Sequence, residues 1–231
     1  MLYYDFHIHS ALSPCGDKDM TPNNIVNMAA LSGLNTIAIS DHNSIGNVKA
    51  AMEVGKNCGV TVIAGMEVET AEEVHILTLY PSLDAAEYAA KKVYEKLPDI
   101  KNRPEIFGEQ LYMNENDEVL GIEEKLLISP TTLAIEDVFD LVRDCGGLFI
   151  PAHVDRHSYS VLTNLGFIPD NIPIRHIEIS KKVDDVKAYL DSREDLKAYK
   201  IFRNSDAHYL QDISVKEAFI NAEDVLEIFK R

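Results

Sequence analysis

Asp5-Phe6-His7-Ile8-His9, Ser40-Asp41-His42 and Ser205-Asp206-Ala207-His208 are the stretches on which the reading of this chain turns. Side chains alternate faces along a strand, so His7 and His9 point the same way, and so do Asp206 and His208. Each stretch reads as the end of a buried strand tipped with metal ligands. Two same-facing pairs at opposite ends of one chain suggest a site assembled by a closed fold, which makes the chain a candidate metalloenzyme.

Outward from these stretches, short apolar runs alternate with longer helical patterns. The runs predict strands over Leu2–His7, Thr36–Ser40, Thr61–Ala64 continuing to Glu67, Glu73–Leu79, Leu148–Ala152, Ile174–Ile179 and Lys200–Asn204, with a short one at Phe219–Asn221. Helical spacing predicts helices over Asn23–Ser32, Ile45–Asn57, Leu83–Leu97, Ile135–Cys145, Val183–Leu190 and Ala222–Phe229. Thr21-Pro22 is a helix start, and Gly33, Gly59 and Gly146-Gly147 follow helices where a cap wants positive φ. Strand-helix alternation favours an α/β fold with a mainly parallel sheet. No glycine-rich dinucleotide or phosphate loop follows the first strand. The ligand-type residues sit at the C-terminal ends of most strands, which converge on one rim in a barrel and spread along a line in an open sheet. A barrel is therefore expected. The acidic stretch 99–132 breaks the rhythm and reads as an insertion into a single domain spanning 1–231, holding a short helix, a turn and irregular chain. Such an insertion is either a substrate-selecting element over the rim or a solvated excursion.

Composition sets outer bounds. The chain has 231 residues, 46% of them hydrophobic, enough for one sizeable core. A net charge of −16 repels phosphate backbones and anionic membrane, so free nucleic-acid polymer and membrane are expected to be poor partners. Three Cys (15, 58 and 145) without a C-x-x-C pattern argue for a reducing compartment. There is no secretory signal pattern at the N-terminus and no apolar run long enough to span a bilayer, so a cytoplasmic location is the expectation.

Histidine and carboxylate ligands, with a possible thiolate, point to Zn, Mn or Fe rather than Ca. Of the eight His, six lie at or near strands: His7, His9, His42, His75, His153 and His208. Asp206 stands two residues before His208, and Glu67 ends another strand. His157 and His176 read as peripheral or structural. Asp5 shares the face of His7 and His9, as an orienting group or a buried polar one. Asp41 is expected to face away from His42 and to cap the next helix.

The ordered series H-x-H, S-D-H, G-x-E, V-H-x-L, A-H and S-D-A-H, running from residue 5 to 208, resembles the motif series of the PHP (polymerase and histidinol phosphatase) superfamily. The resemblance implies a distorted (β/α)7 TIM-like barrel with two or three divalent metals at the C-terminal rim, hydrolysing phosphoesters, usually on small molecules. It implies that His7, His9 and Asp206 hold a first metal, that Glu67 bridges first and second, and that His75 and His153 complete the second. His42 and His208 would hold a third with one more ligand from the segment after His9. Spacing back from Thr21 favours Asp17 there, with Cys15 as the rival. Glu67, Asp206 and His208 are the candidate catalytic residues. The chemistry agrees: metals about 3.5–4 Å apart generate a bridging hydroxide and clamp the attacking and leaving oxygens. Arg156 and Lys181 are candidates for the substrate phosphate. The expected partner is a small phosphorylated metabolite or nucleotide; oligomeric state is not specified. The alternatives are an amidohydrolase-type metal hydrolase, which also begins with H-x-H but lacks the terminal D-x-H, and a non-catalytic metal-binding module.

Overall fold

A computed structural model describes residues 1–220. Strand β1 (Leu2–Ile8) leads through α1 (Pro22–Leu31) to β2 (Thr36–Ile39), and through α2 (Val48–Cys58) to β3 (Thr61–Glu69). These three strands run parallel, as helical crossovers require. Thr21 caps α1 by accepting from the Asn24 N–H, and Pro22 sits in the first turn, where its missing N–H costs nothing. Gly59 ends α2 at φ 71°, in the left-handed region that favours glycine.

The sheet then departs from the parallel pattern. Only residues 70–74 separate β3 from β4 (His75–Tyr80), too few for a crossover, so β4 folds back antiparallel on β3. After α3 (Leu83–Lys96), an inserted segment and α5 (Ile135–Asp144), β7 (Leu148–Pro151) pairs antiparallel with β4. The inserted segment holds the one-turn α4 (Pro104–Phe107) and a hairpin of β5 (Leu111–Met113) and β6 (Val119–Ile122). Beyond α6 (Val161–Asn164), β8 (His176–Glu178) and β9 (Lys200–Phe202) form a parallel pair around α7 (Val186–Asp191). The last described strand, β10 (Phe219–Ile220), runs antiparallel along β1. The six-stranded sheet thus has the order β10-β1-β2-β3-β4-β7.

The β8–β9 pair curls this sheet towards closure. Val154 N–H donates to the Glu178 carbonyl at 2.9 Å, and Ile8 bridges Ala207 with His9 N–H donating to the Ala207 carbonyl at 3.0 Å. The result is a mixed α/β fold with a curled, half-barrel sheet. It departs from the expected mainly parallel sheet because the short β3–β4 connection reverses the chain. The expected helix over Ala222–Phe229 lies outside the described residues. Among those residues no helix is long and apolar enough to cross a membrane.

Two buried clusters hold the layers. Ile25, Val26 and Ala29 of α1, Val48 and Ala51 of α2, and Ala86, Ala89 and Val93 of α3 pack with Ile37, Ile39, Met66 and Ile76 of the sheet. A second cluster joins Tyr4, Phe6, Leu77, Leu79, Ile150 and Phe202. Phe202 meets Tyr4 and Phe6 edge-on at 5.8 Å each, drawing β9 against β1 from the far end of the chain.

The inserted segment is docked rather than loose. Leu111 N–H donates to the Ala11 carbonyl at 2.9 Å. Buried Asn47 accepts from the Met113 N–H at 2.8 Å and donates to the Leu111 carbonyl at 3.0 Å and to Ser10 Oγ at 2.9 Å. Asn43 donates to the carbonyls of Leu127 and Ser129. Leu12, Leu97 and Leu127 form a small core beneath. Replacing Asn47→Ala leaves the Met113 donor and the Leu111 acceptor without this partner, at an expected cost of about 1–3 kcal/mol. Denaturant unfolding with hydrogen exchange at Met113 is the measurement. An unmoved midpoint and a still-protected Met113 amide would show that Asn47 does not dock the hairpin.

Candidate metal centre

Glu67 is the hub of the molecule. It is fully buried near the end of β3, with its carbonyl accepting from Asn43 N–H at 2.8 Å and its N–H donating to the Asp41 carbonyl at 3.1 Å. Its Oε1 lies 3.1 Å from His7 Nε2, 3.0 Å from His75 Nδ1 and 3.2 Å from His153 Nε2. Its Oε2 lies 3.1 Å from His42 Nδ1 and 3.4 Å from His9 Nε2. Asp206 Oδ1 stands 3.0 Å from His9 Nε2 and 3.4 Å from His7 Nε2. Among the described residues three overlapping sets have donor atoms within 4.8 Å of one another: His7, His9, Glu67 and Asp206; His42, Glu67 and His75; and His9, His42 and His208. Backbone strain gathers here, with Asn43 at φ 49°, His153 at φ 31° and Asp206 at φ 53°, all in a region non-glycine residues rarely occupy.

Outer partners orient the rings. His7 Nδ1 lies 3.0 Å from Glu178 Oε2, and Glu178 also accepts from the His153 N–H at 3.0 Å and from Asn204 Nδ2 at 2.7 Å. Ser13 Oγ gives its proton to Asp41 Oδ1 at 2.7 Å, so it accepts from His9 Nδ1 at 3.0 Å. His208 Nδ1 donates to the Asp206 carbonyl at 2.9 Å. The Nδ1 protons of His7, His9 and His208 are therefore committed to these acceptors, which leaves Nε2 of each for a cation.

Charge and burial oppose one another within the cluster. Burial works to raise the Glu67 carboxyl, but His75, His7 and His42 hold it well below its ordinary value. Asp206 is likewise raised by burial and held well down by His7 and His9. Burial lowers His7, yet Glu178, Glu67 and Asp206 lift it well above its usual value, and Glu67 brings His75 up to about 9 against the same burial. His42 is pushed well down by burial and His208 to about 4. His7 Nε2, His42 Nδ1 and Glu67 Oε2 are buried without a hydrogen bond. Buried polar atoms are normally satisfied, and cations within the donor sets that contain these atoms would satisfy them. Imidazole and carboxylate donors suit Zn, Mn or Fe, so the residues fit a divalent metal centre.

The other expected residues fall at different distances from this hub. Arg156 Nη1 pairs with Asp206 Oδ2 at 2.5 Å. Lys181 is half-buried and lowered by burial, among the charges of Asp5, Glu217 and Arg203, with no described bond to the cluster. The Asp17 carboxylate accepts from the Asp19 N–H at 2.8 Å and joins none of the three donor sets. Cys15 joins none either; it is exposed as a residue, yet its thiol is pushed up by desolvation and by the charges of Glu67 and Asp206. Asp5 accepts from the N–H groups of Ser205 and Ser214, tying the Asp206 loop to β1. Asp41 does not cap α2; it faces the loop after His9 and binds Ser10 and Ser13. His157 is exposed, and His176 packs on Phe202 at 5.5 Å.

The sequence reading missed Glu178, Ser13 and Asn204. A signal for Glu178 existed, since it shares a strand face with His176 among apolar neighbours, where a carboxylate demands a partner. Glu178→Gln should weaken metal affinity about 10–100-fold with the fold intact, because it removes the charge that aligns His7 and sets an amide donor against the Asn204 and His7 donors, while its oxygen can still accept from the His153 N–H. Competition with a chromophoric chelator, alongside circular dichroism, measures this. Parent-like affinity would reduce Glu178 to a packing role.

Residues 5–137 match the PHP domain family. A 5′-3′ exoribonuclease of Haemophilus influenzae is 32% identical over 101 residues, 40% of this chain and 36% of that protein. A phosphoribosyl 1,2-cyclic phosphate 1,2-diphosphodiesterase of Eggerthella lenta is 35% identical over 80 residues, 32% of this chain and 29% of that one. The matched segments thus span about a third of these relatives. A lesion-specific endonuclease of Pyrococcus furiosus shares the fold with a TM-score of 0.65 at 21% identity, over 90% of this chain and 49% of that one. An endonuclease Q complex holding a 27-mer duplex with an abasic lesion at its active site superposes with a TM-score of 0.60 at 20% identity, over the same shares. These findings overturn the expectation of a small phosphorylated partner with nucleic-acid polymer excluded. Net charge averages a whole surface, whereas a phosphate meets only the local field of a site. With more than half of its length matched, and the motif residues gathered around Glu67, the chain belongs to the PHP domain family.

Proposed function

We propose that this chain is a metal-dependent phosphoester hydrolase, with nucleotide or nucleic-acid phosphoesters among its substrates. The observation that carries the reading is the single buried carboxylate of Glu67 within 3.4 Å of five imidazoles, with Asp206 beside two of them. His7, His9, Glu67 and Asp206 would hold one divalent ion, Glu67, His75 and His153 a second, and His42 with His208 a third. Divalent ions so held supply an activated nucleophile at neutral pH and neutralise charge on phosphoryl oxygens.

The chain's own residues do the rest. Glu67 sets the spacing of the centre. Asp206 binds with one oxygen and keeps Arg156 at the rim with the other, where the guanidinium offers its remaining donors to a phosphate. His208, a quarter exposed and with its Nδ1 committed to the Asp206 carbonyl, has Nε2 left for the third ion. For the remaining ligand of the third ion, Cys15 is the better candidate than Asp17. One oxygen of Asp17 accepts within its own turn, while the Cys15 thiol stands near enough to Glu67 and Asp206 for their charges to raise it, a shift that a bound cation would reverse. The names of the exoribonuclease and endonuclease relatives support the substrate range.

Protein purified without chelator should carry two or three divalent ions per chain by elemental analysis. It should hydrolyse p-nitrophenyl phosphate, its bis ester or a 5′-phosphorylated oligonucleotide, and not an amide panel. Near-zero metal that Mn or Zn cannot restore, or turnover confined to amides, would sink the reading. Glu67→Gln should lower turnover by a factor of about 100 or more with an unchanged circular dichroism spectrum, a loss of several kcal/mol in transition-state stabilisation. Cys15→Ser should lower metal stoichiometry more than Asp17→Ala. The reverse order would return the third site to Asp17.

A further inference from the structure

A cavity of about 300 Å³ opens where the loop after His9 meets the inserted hairpin and the residue after His208. It adjoins the metal centre through the backbone: Asp17 N–H donates to the His208 carbonyl at 2.9 Å, and Tyr209 follows His208 directly. Its volume is at the lower end of small-molecule sites, typically about 300–1,000 Å³, so it suits one group of modest size. Two glycines let its walls approach. A Cβ on Gly108, at φ +99°, would overlap the Pro14 carbonyl oxygen, and one on Gly16 would overlap that of Ser10. The walls are thereby set by backbone against backbone, in a segment already docked by Asn47 and Leu111.

The lining is mixed in a way that selects a chemistry. Ala11, Pro14 and Leu111 supply apolar surface. Tyr209 also lines the cavity and leaves 47% of its surface exposed, so an aromatic ring is available beside the centre. Asp17 and Glu109 outnumber Lys18, so a second phosphate is disfavoured there, while carboxylates accept from sugar hydroxyls and exocyclic amines. A flat, uncharged group with donors on its edge meets all of these conditions.

Building on the phosphoester reading, we infer that this cavity seats the nucleoside portion of a nucleotide whose phosphate lies at the Glu67 centre. The nucleotide is either free or the end of a strand, and Tyr209 is its stacking platform. Stacking of a base on an aromatic side chain is commonly lost by a factor of about 5–150 on substitution with alanine. The test is adenosine binding to the full chain by titration calorimetry and ligand-observed NMR, for the parent, Tyr209→Ala and Tyr209→Phe. Adenosine should bind the parent, about tenfold or more weakly to the Ala variant, and near parent level to the Phe variant. In turnover, the preference for adenosine 5′-monophosphate over ribose 5-phosphate should fall about tenfold in Tyr209→Ala. A parallel arm with a 5′-phosphorylated oligonucleotide identifies whether free nucleotide or strand end is preferred. No adenosine binding, or binding that Tyr209→Ala leaves untouched, overturns the inference even where phosphoesters are hydrolysed. Tyr209-dependent binding in a protein that turns over no phosphoester upholds the nucleoside seat and sinks the hydrolase reading.

Discussion

An ionised carboxylate buried without compensation costs several kcal/mol, and Glu67 is such a group unless cations or imidazoles surround it. That constraint organises the chain. No single element can bring enough partners, so they come from the end of β1, the turn after β2, the start of β4, the turn after β7 and the loop after β9. The short connection between β3 and β4 serves it directly: by reversing the strand it pairs Glu69 with His75 and sets the His75 ring against Glu67. The unfavourable backbone at Asn43 and His153 is tolerated because Asn43 donates to the carbonyls of Leu127 and Ser129 and the His153 N–H donates to Glu178, while Asp206 is held by His9 and Arg156.

The outer partners account for where the rings stand. Imidazole has two nitrogens, and a ring with one proton is useful to a cation only if the proton is held on the far side. Glu178, Ser13 and the Asp206 carbonyl each hold one. The centre is therefore two layers deep, and the outer layer is as dependent on distant contacts as the inner. Glu178 is itself positioned by Asn204, whose Oδ1 also accepts from the Phe6 N–H.

Most of the inner layer was legible in the sequence because His and Asp two apart at strand ends are rarely placed there by packing alone. His7, His9, His42, His75, His153, Asp206 and His208 all stand in one cluster with Glu67. The outer layer was less legible because its members are ordinary in isolation: Ser13 reads as loop, and Glu178 as one charge in a short strand. The direction of β4 was hidden because an apolar run reads alike in either sense, and only the short 70–74 connection decides it. The β5–β6 hairpin was hidden too. Val119 and Leu120 are both exposed on β6, so no alternation marks it as a strand. Asp41 was misdirected because the chain leaves strand geometry at Ile39, and alternation no longer applies beyond it. The partner expectation failed for a different reason, since formal charge is a sum and carries no positions.

The pairing of β1 with the far end of the chain has a consequence for synthesis. Phe6 waits for Asn204, Asp5 for Ser205 and Ser214, and His9 for Asp206. A chain leaving the ribosome exposes its H-x-H segment long before these partners exist, and closing so long a loop is slow. Half-made chains therefore hold loose imidazoles and carboxylates but no organised centre. The cluster is organised in one step once residues 204–214 have emerged, so a product cut before them is expected to bind cations loosely rather than in one ordered centre.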